Sequence, residues 1–380
     1  MLALSLFGVV LSMIIIWRAS DGFEAASSYI GRNLSDGVRG ATINAIGSSL
    51  PELFTTITAL LFYMDKDGFA FGIGTTAGSA IFNSAVIPSL VILTVVLTKT
   101  AKRVIVSKKV ILRDGISLLV CEMVLILLLS KGELTWMDGL LLLGSYASYV
   151  CILFLTMEKS DEKQDEDDAG AVGQNDQGVY AHRFMSFITL DIRGGLLGLK
   201  RLTTAKAWML LAAASSVIGG ACWVLVESCY LLGSSLGIKI YFIAVILAAA
   251  ATSVPDTILS IKDAKKGNYD DAVSNALGSN IFDICVCLGL PIFIFSILHG
   301  PIILDISDGS VAELRVLLIL LTGVTFFLMA VGRGLGLFKG LALLCMYIVF
   351  TLYIYLRATG HPFGLEIGEF LQSLLSILKT

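Results

Sequence analysis

The chain has 380 residues, 56% of them hydrophobic and only 15% charged, with a mean hydropathy of +0.86. A soluble domain is about 25% charged, so this composition excludes a soluble α/β enzyme and a disordered chain. The net charge of −3 excludes a polyanion-binding field. What remains is a polytopic membrane protein, in which each helical crossing takes ~20 residues.

Ten apolar segments are predicted in chain order, over residues 2–17, 38–64, 70–97, 116–130, 136–157, 207–232, 240–261, 273–298, 312–331 and 335–356. The first lacks a basic leader and a small-residue cleavage site, so it reads as a span and not a removed signal peptide. The fourth is short because Arg113 and Asp114 bound it. The expected fold is an all-α membrane protein of ten transmembrane helices in two five-helix halves, 1–158 and 207–358. Residues 159–206 between them carry DEKQDEDD at 161–168 and read as a flexible, solvated linker without EF-hand spacing. In the tail, 359–380, apolar residues recur at 363, 367, 370, 371, 374, 375 and 378, interrupted by Glu366 and Glu369; an interfacial amphipathic helix is expected.

Basic residues orient the spans. With the first loop cytoplasmic, the odd-numbered loops hold every Lys and Arg except Lys66, Lys131, Lys239, Arg315, Arg357 and Lys379. Both termini are then expected outside and the linker in the cytoplasm. Cysteines 121, 151, 222, 229, 285, 287 and 345 fall in apolar stretches without C-x-x-C metal spacing and read as small core residues.

Two stretches repeat. GSSLPELF at 47–54 matches ATSVPDTI at 251–258, and GSAIFN at 78–83 matches GSNIFD at 278–283; Pro88 and Pro291 follow the two copies. The first repeat falls within about 38–97 and the second within about 240–298. They lie five spans apart, an odd number, so the two halves must be inverted across the bilayer. Inverted repeats with helix breakers near the midplane point to a secondary transporter with its site between the halves.

Glu52, Glu122, Glu227, Asp256 and Asp283 lie inside spans, with no Lys or Arg comparably deep. A mid-span carboxylate costs ~2.5–3.5 kcal/mol on insertion scales, and a transported cation would neutralise it. Glu122 and Glu227 have no repeat mate and read as a polar bundle contact or a snorkelling side chain. Glu52 and Asp256 are repeat mates, expected to face one another. Each has a hydroxyl one turn earlier, Ser48 and Thr252. The same spacing joins Ser79 to Asn83 and Ser279 to Asp283. Pro51 cannot donate to the Gly47 carbonyl, nor Pro255 to that of Ala251, so both helices are expected to break there and release carbonyl oxygens. Carboxylates, hydroxyls and carbonyls are hard ligands that suit Ca²⁺, which takes 6–8 oxygens. Soft metals would want Cys or His, which these blocks lack.

At these blocks the chain resembles the cation/calcium exchanger superfamily, whose two α-repeats carry G-[ST]-S-x-P-[ED] followed by G-S-x-x-x-[ND]. The resemblance implies that Glu52 and Asp256 are central Ca²⁺ ligands. It implies Na⁺-site roles for Ser48, Ser49, Thr252, Ser253, Ser79, Ser279, Asn83 and Asp283, and backbone carbonyl ligands at Ala45 and Ala249. Two positions depart from the family: Ala251 stands where Gly is usual, and the acid at 256 is Asp. Asp283 is similar to the potassium-dependent sodium/calcium branch, which implies K⁺ co-transport, although prokaryotic sodium/calcium exchangers carry this Asp too. The G-N-x-x-E of the proton/calcium branch is absent.

The function expected is a Ca²⁺/Na⁺ antiporter working by alternating access, with no cofactor. Its partners are Ca²⁺, monovalent cations and the bilayer, with no nucleic acid. A monomer suffices for transport, and the sequence leaves the oligomeric state open. The alternative is a proton-coupled exchanger of the same fold. An intramembrane aspartyl protease lacks its G-x-G-D signature and leaves Glu52 unexplained. A phosphatidyltransferase would need Arg where Thr42 stands, and a cation channel would not need paired proline breaks in an inverted repeat.

Overall fold

The computed structural model describes residues 1–32, 42–43, 45–63, 66–156, 191–197, 202–304, 309–332 and 334–377. Most of the linker, including its acidic run, lies outside the described residues. The helices are α1 (Leu2–Ile30), α2 (Ala45–Ser48), α3 (Leu50–Thr58, continued by a π turn Ala59–Tyr63), α4 (Lys66–Leu97), α5 (Lys108–Leu128) and α6 (Trp136–Thr156). A short α7 (Ile192–Leu197) leads to α8 (Thr204–Leu236) and α9 (Ile240–Ile243). A π turn (Ala244–Ala248) joins α9 to α10 (Ala249–Thr252), followed by α11 (Val254–Lys266). Then come α12 (Tyr269–Phe282), a π turn (Asp283–Cys287), α13 (Gly289–His299), α14 (Gly309–Ala330), α15 (Leu337–Ala358) and α16 (Pro362–Ile377).

Among the described residues seven helices are long and apolar enough to cross a membrane, and eight if the bent pair Ile240–Thr252 and Val254–Lys266 counts as one span. The span Asp67–Leu97 and the span Tyr269–His299 are each 67% buried, against 22% for Trp136–Thr156 and 28% for Leu2–Ile30. The two helices carrying GSAIFN and GSNIFD are therefore the centre of the bundle, and the others wrap them. Large apolar side chains such as Phe7, Leu155 and Phe338 point outward, as on a surface solvated by lipid.

Two span boundaries differ from the sequence reading, for one reason: their charges are partnered. The first helix does not stop at residue 17 but runs to Ile30. Its polar turn is held by Lys262, whose Nζ donates to Asp21 Oδ1 at 2.9 Å and Glu24 Oε2 at 3.2 Å. The fourth begins at Lys108, ahead of Arg113 and Asp114. Asp114 is fully buried; Arg113 Nε donates to its Oδ1 at 2.6 Å, Ser274 Oγ to its Oδ2 at 2.7 Å and Tyr149 to its Oδ1 at 3.2 Å. Three helices thus share one buried carboxylate. Removing one partner of a buried ion pair costs about 3–5 kcal/mol. The Arg113→Gln variant is expected at the low end of that range, because Ser274 and Tyr149 still donate; a melting curve of the purified protein in detergent checks it.

The set of deep charges is also revised. Asp114 and Glu313 are buried, and so is Arg315, whereas Glu227 is exposed on its helix surface. Glu122 is fully buried and accepts from Thr322 Oγ1 at 2.7 Å, a polar bundle contact. The tail is helical as expected, but it is docked. Gln372 Nε2 donates to Glu313 Oε1 at 2.8 Å, and Arg357 and Tyr353 close on the same carboxylate.

Loops distant in sequence meet in two groups. Val104 bridges to Leu335, the Ser107 amide donates to Asp270 at 2.7 Å, and Lys262 reaches Asp21. In the second group, strands β1 (Glu133–Leu134) and β2 (Ile302–Ile303) pair antiparallel, and Arg315 donates to Ser130 at 2.8 Å.

Candidate cation site

Each proline block breaks its helix at one residue. Ser49 lies between α2 and α3 with φ −93 and ψ 6, and Ser253 lies between α10 and α11 with φ −81 and ψ 3. Both sit near the sparsely allowed bridge region. They are repeat mates, 204 residues apart in the chain, so the two breaks are the same local device used twice. A proline one residue into the following helix sits where its missing N–H costs least, as Pro51 and Pro255 do.

The break turns the acids inward. Glu52 is fully buried, and its Oε1 accepts from Ser79 Oγ at 2.8 Å and from Ser253 Oγ at 3.2 Å. The Ser79 and Ser253 hydroxyls also touch each other. Asp256 is fully buried, and its Oδ1 accepts from Ser279 Oγ at 2.5 Å. The Ser279 hydroxyl in turn lies 3.4 Å from that of Ser48. Each carboxylate is thus bound to the serine of its own repeat's second block. Each pair is then joined to a serine of the other repeat. The Glu52 and Asp256 charges are close enough to interact, and Asp283 interacts with both.

Several buried polar atoms here have no hydrogen-bond partner: Glu52 Oε2, Asp256 Oδ2, Asp283 Oδ2, Ser49 Oγ and both amide atoms of Asn83. A buried polar atom left unpaired is costly. Five of these six atoms are oxygens, the chemistry that suits a hard cation. Among the described residues no three His, Cys, Asp or Glu side chains converge as a metal group, so hydroxyl and carbonyl oxygens would have to complete any shell.

Some expected ligands are already engaged with the backbone. Thr252 Oγ1 donates back to the Ala248 and Ala249 carbonyls, at 3.0 and 3.2 Å. The Ala45 carbonyl accepts from the Ser49 amide at 3.0 Å, and that of Ala249 from the Ser253 amide at 3.1 Å. The Ala45 carbonyl also accepts from Ser48 Oγ at 3.4 Å, so both carbonyls already have two donors, and a rotation of the Ser48 or Thr252 hydroxyl frees one lone pair on each. An open cleft beside α1, lined by residues including Trp17, Asp21, Glu24, Ser48 and Pro255, extends inward as far as Ser48.

Three residues escaped the sequence reading. Asn275 and Thr75 lie one turn before Ser279 and Ser79 and are repeat mates themselves. Both are fully buried, with Asn275 Oδ1 and Thr75 Oγ1 unpartnered. Extending each polar face by one i, i+4 step would have found them. The third is Cys287, one turn after Asp283. Its Sγ lies 3.8 Å from Asp283 Oδ1 and 3.6 Å from the Ser49 carbonyl oxygen. Cys287 lies outside the repeated blocks, which themselves hold no Cys or His, and brings a sulfur beside the last of them.

The bundle and its buried oxygens define a membrane transporter, and comparison with known proteins gives its family. The family model for the sodium/calcium exchanger protein matches residues 4–155 and 206–356. The chain belongs to that family, whose members are antiporters and not enzymes. It is 26% identical over 381 aligned positions to the human sodium/potassium/calcium exchanger 5, covering 82% of this chain and 74% of that one. Among solved structures it is similar to the sodium-calcium exchanger NCX_Mj, with a TM-score of 0.57, 22% identity and coverage of 92% of this chain and 98% of that one. The H+/Ca2+ exchanger CAX gives a TM-score of 0.63 at 16% identity, covering 97% of this chain and 92% of that one. At these identities the structures establish a shared fold.

Proposed function

We propose that the protein exchanges Ca²⁺ for Na⁺ by alternating access around Glu52 and Asp256. The observation that carries this reading is the crossed arrangement at the site. Two buried carboxylates, one from each half, are joined through serines of the opposite half and retain unpartnered oxygens. One Ca²⁺ or two Na⁺ neutralise the pair. Empty, the pair would leave like charges buried together, which is costly. That penalty discourages an unloaded transition and couples the two fluxes. Ser48, Ser49, Ser79, Ser253 and Ser279, with Asn83, supply the neutral oxygens that Na⁺ needs. Thr252, Ala45 and Ala249 complete the shell through backbone or a rotated hydroxyl.

The architecture we assign is ten crossings in two inverted halves, 1–158 and 207–358, with a linker and a docked tail. Counting Ala45–Tyr63 and Lys108–Leu128 as crossings adds two to the eight. The loop contacts support the parity. The third, seventh and ninth loops meet on one side, where the C-terminal part of α1 is also tied to α11, and the fourth and eighth loops meet on the other. Basic residues crowd the first group, and by the positive-inside rule we assign it and the linker to the cytoplasm and both termini to the outside.

Isotope flux into proteoliposomes tests the reading. Ca²⁺ uptake is expected to require a trans Na⁺ gradient; uptake driven equally by a proton gradient without Na⁺ would favour the proton-coupled alternative. Potassium is tested separately. Asp283, buried beside the pair, is the group we assign to a further monovalent ion. External K⁺ is then expected to stimulate uptake, and Asp283→Asn to remove the stimulation. No K⁺ effect in the parent protein would refute that assignment.

A further inference from the structure

We propose that Cys287 makes the Asp283 end of the site a binding position for a thiophilic divalent cation of the zinc or cadmium class. The inference deepens the exchanger reading and rests on it only for one of the two measurements below.

The geometry comes from the π turn Asp283–Cys287, which follows α12 and begins at the last residue of the GSNIFD block. That turn folds Cys287 back so that its Sγ lies 3.8 Å from Asp283 Oδ1. From the other repeat, the broken turn at Ser49 brings a carbonyl oxygen to 3.6 Å from the same sulfur. Bonds of ~2.3 Å to sulfur and ~2.0–2.2 Å to oxygen at a tetrahedral angle hold the two ligand atoms roughly 3.6 Å apart. The two observed separations, which the thiol spans as a hydrogen-bond donor, match the spacing that two ligand atoms of one small ion need. Asp283 is fully buried, and its second oxygen has no hydrogen-bond partner. This unpartnered carboxylate oxygen points to a ligand independently of the cysteine.

The set is one sulfur, one carboxylate and one carbonyl, with a fourth position for water. It spans both repeats, since Ser49 belongs to the first and Asp283 and Cys287 to the second. Binding displaces the thiol proton to solvent. Ca²⁺ and Na⁺ gain little from sulfur, whereas a soft ion gains most from it. The cysteine therefore sets which foreign cations the exchanger tolerates. A cation held by both halves at once would hinder their relative movement.

The probe is Cd²⁺ titrated into the purified full-length protein in detergent. The first measurement is the near-ultraviolet sulfur-to-cadmium charge-transfer absorbance. Cys121 and Cys285 form a second, neighbouring thiol pair, so Cys121→Ala serves as the control. The band is expected in the parent and in Cys121→Ala, and lost in both Cys287→Ser and Cys287→Ala. No band in the parent, or a band unchanged in the Cys287 variants, overturns the proposal. The second measurement is inhibition of Na⁺-dependent Ca²⁺ uptake by Cd²⁺. About tenfold more Cd²⁺ is expected for half-inhibition in Cys287→Ser, and an unchanged requirement overturns the proposal. Absence of uptake in the parent would count against the exchanger reading and leave the absorbance test intact.

Discussion

Glu52→Gln and Asp256→Asn are each expected to abolish Na⁺-dependent Ca²⁺ uptake. Both substitutions keep the shape and hydrogen-bonding capacity of the side chain and remove one negative charge. With one charge gone, the pair no longer balances a divalent ion. Exclusion of water makes the loss larger than at an exposed site, because both carboxylates are fully buried. Affinity is expected to fall at least ~100-fold, equivalent to about 2.7 kcal/mol. The serine contacts give the two variants different side effects. In Glu52→Gln the Ser79 and Ser253 hydroxyls still find an amide oxygen; in Asp256→Asn the Ser279 hydroxyl does the same. Folding should therefore survive in both, as checked by a monodisperse elution profile, while isotope uptake falls to background. Full uptake in both variants would remove the carboxylate pair from the mechanism.

Gly78→Ala is expected to disrupt the centre of the bundle. A Cβ at this position would lie 2.3 Å from the Val245 carbonyl oxygen and 2.9 Å from Ala249 Cβ. The nearest of these atoms is backbone, so no rotamer change relieves the clash and the two helices must separate. Overpacking of this kind costs ~1–3 kcal/mol, and the separation also displaces Ser79 from Glu52 and Ser253. Loss of both thermal stability and transport is the expected result. The control is Gly144→Ala, with nothing within 4 Å of its added Cβ. It should leave both unchanged. Equal behaviour of the two variants would show that the close crossing is not needed.

Much of this was legible in the chain before any fold was known. The matched blocks could be paired because their offsets are nearly equal, and the odd number of spans expected between them is what predicts inversion. The proline logic put each break in the turn ahead of its proline; the bent residues are Ser49 and Ser253, two residues before Pro51 and Pro255, and the carbonyls nearby stay engaged. The deep charges were harder. Asp114 reads as a helix boundary in sequence because it sits beside Arg113 in a basic loop. Its burial depends on Ser274 and Tyr149, two helices that meet it only in space. Lys262 extends the first helix by the same kind of remote pairing. Cys287 was legible by spacing, one turn after Asp283. A thiol in an apolar run looks like packing until the Ser49 carbonyl arrives from the other repeat.

The most direct measurement is equilibrium binding of radioactive Ca²⁺ to the purified protein across a range of Na⁺ concentrations. A shared carboxylate pair predicts a single Ca²⁺ per chain, displaced competitively by Na⁺ with a dependence steeper than first order, and absent in Glu52→Gln. Calcium binding that Na⁺ does not displace, or that persists undiminished in Glu52→Gln, would contradict the account.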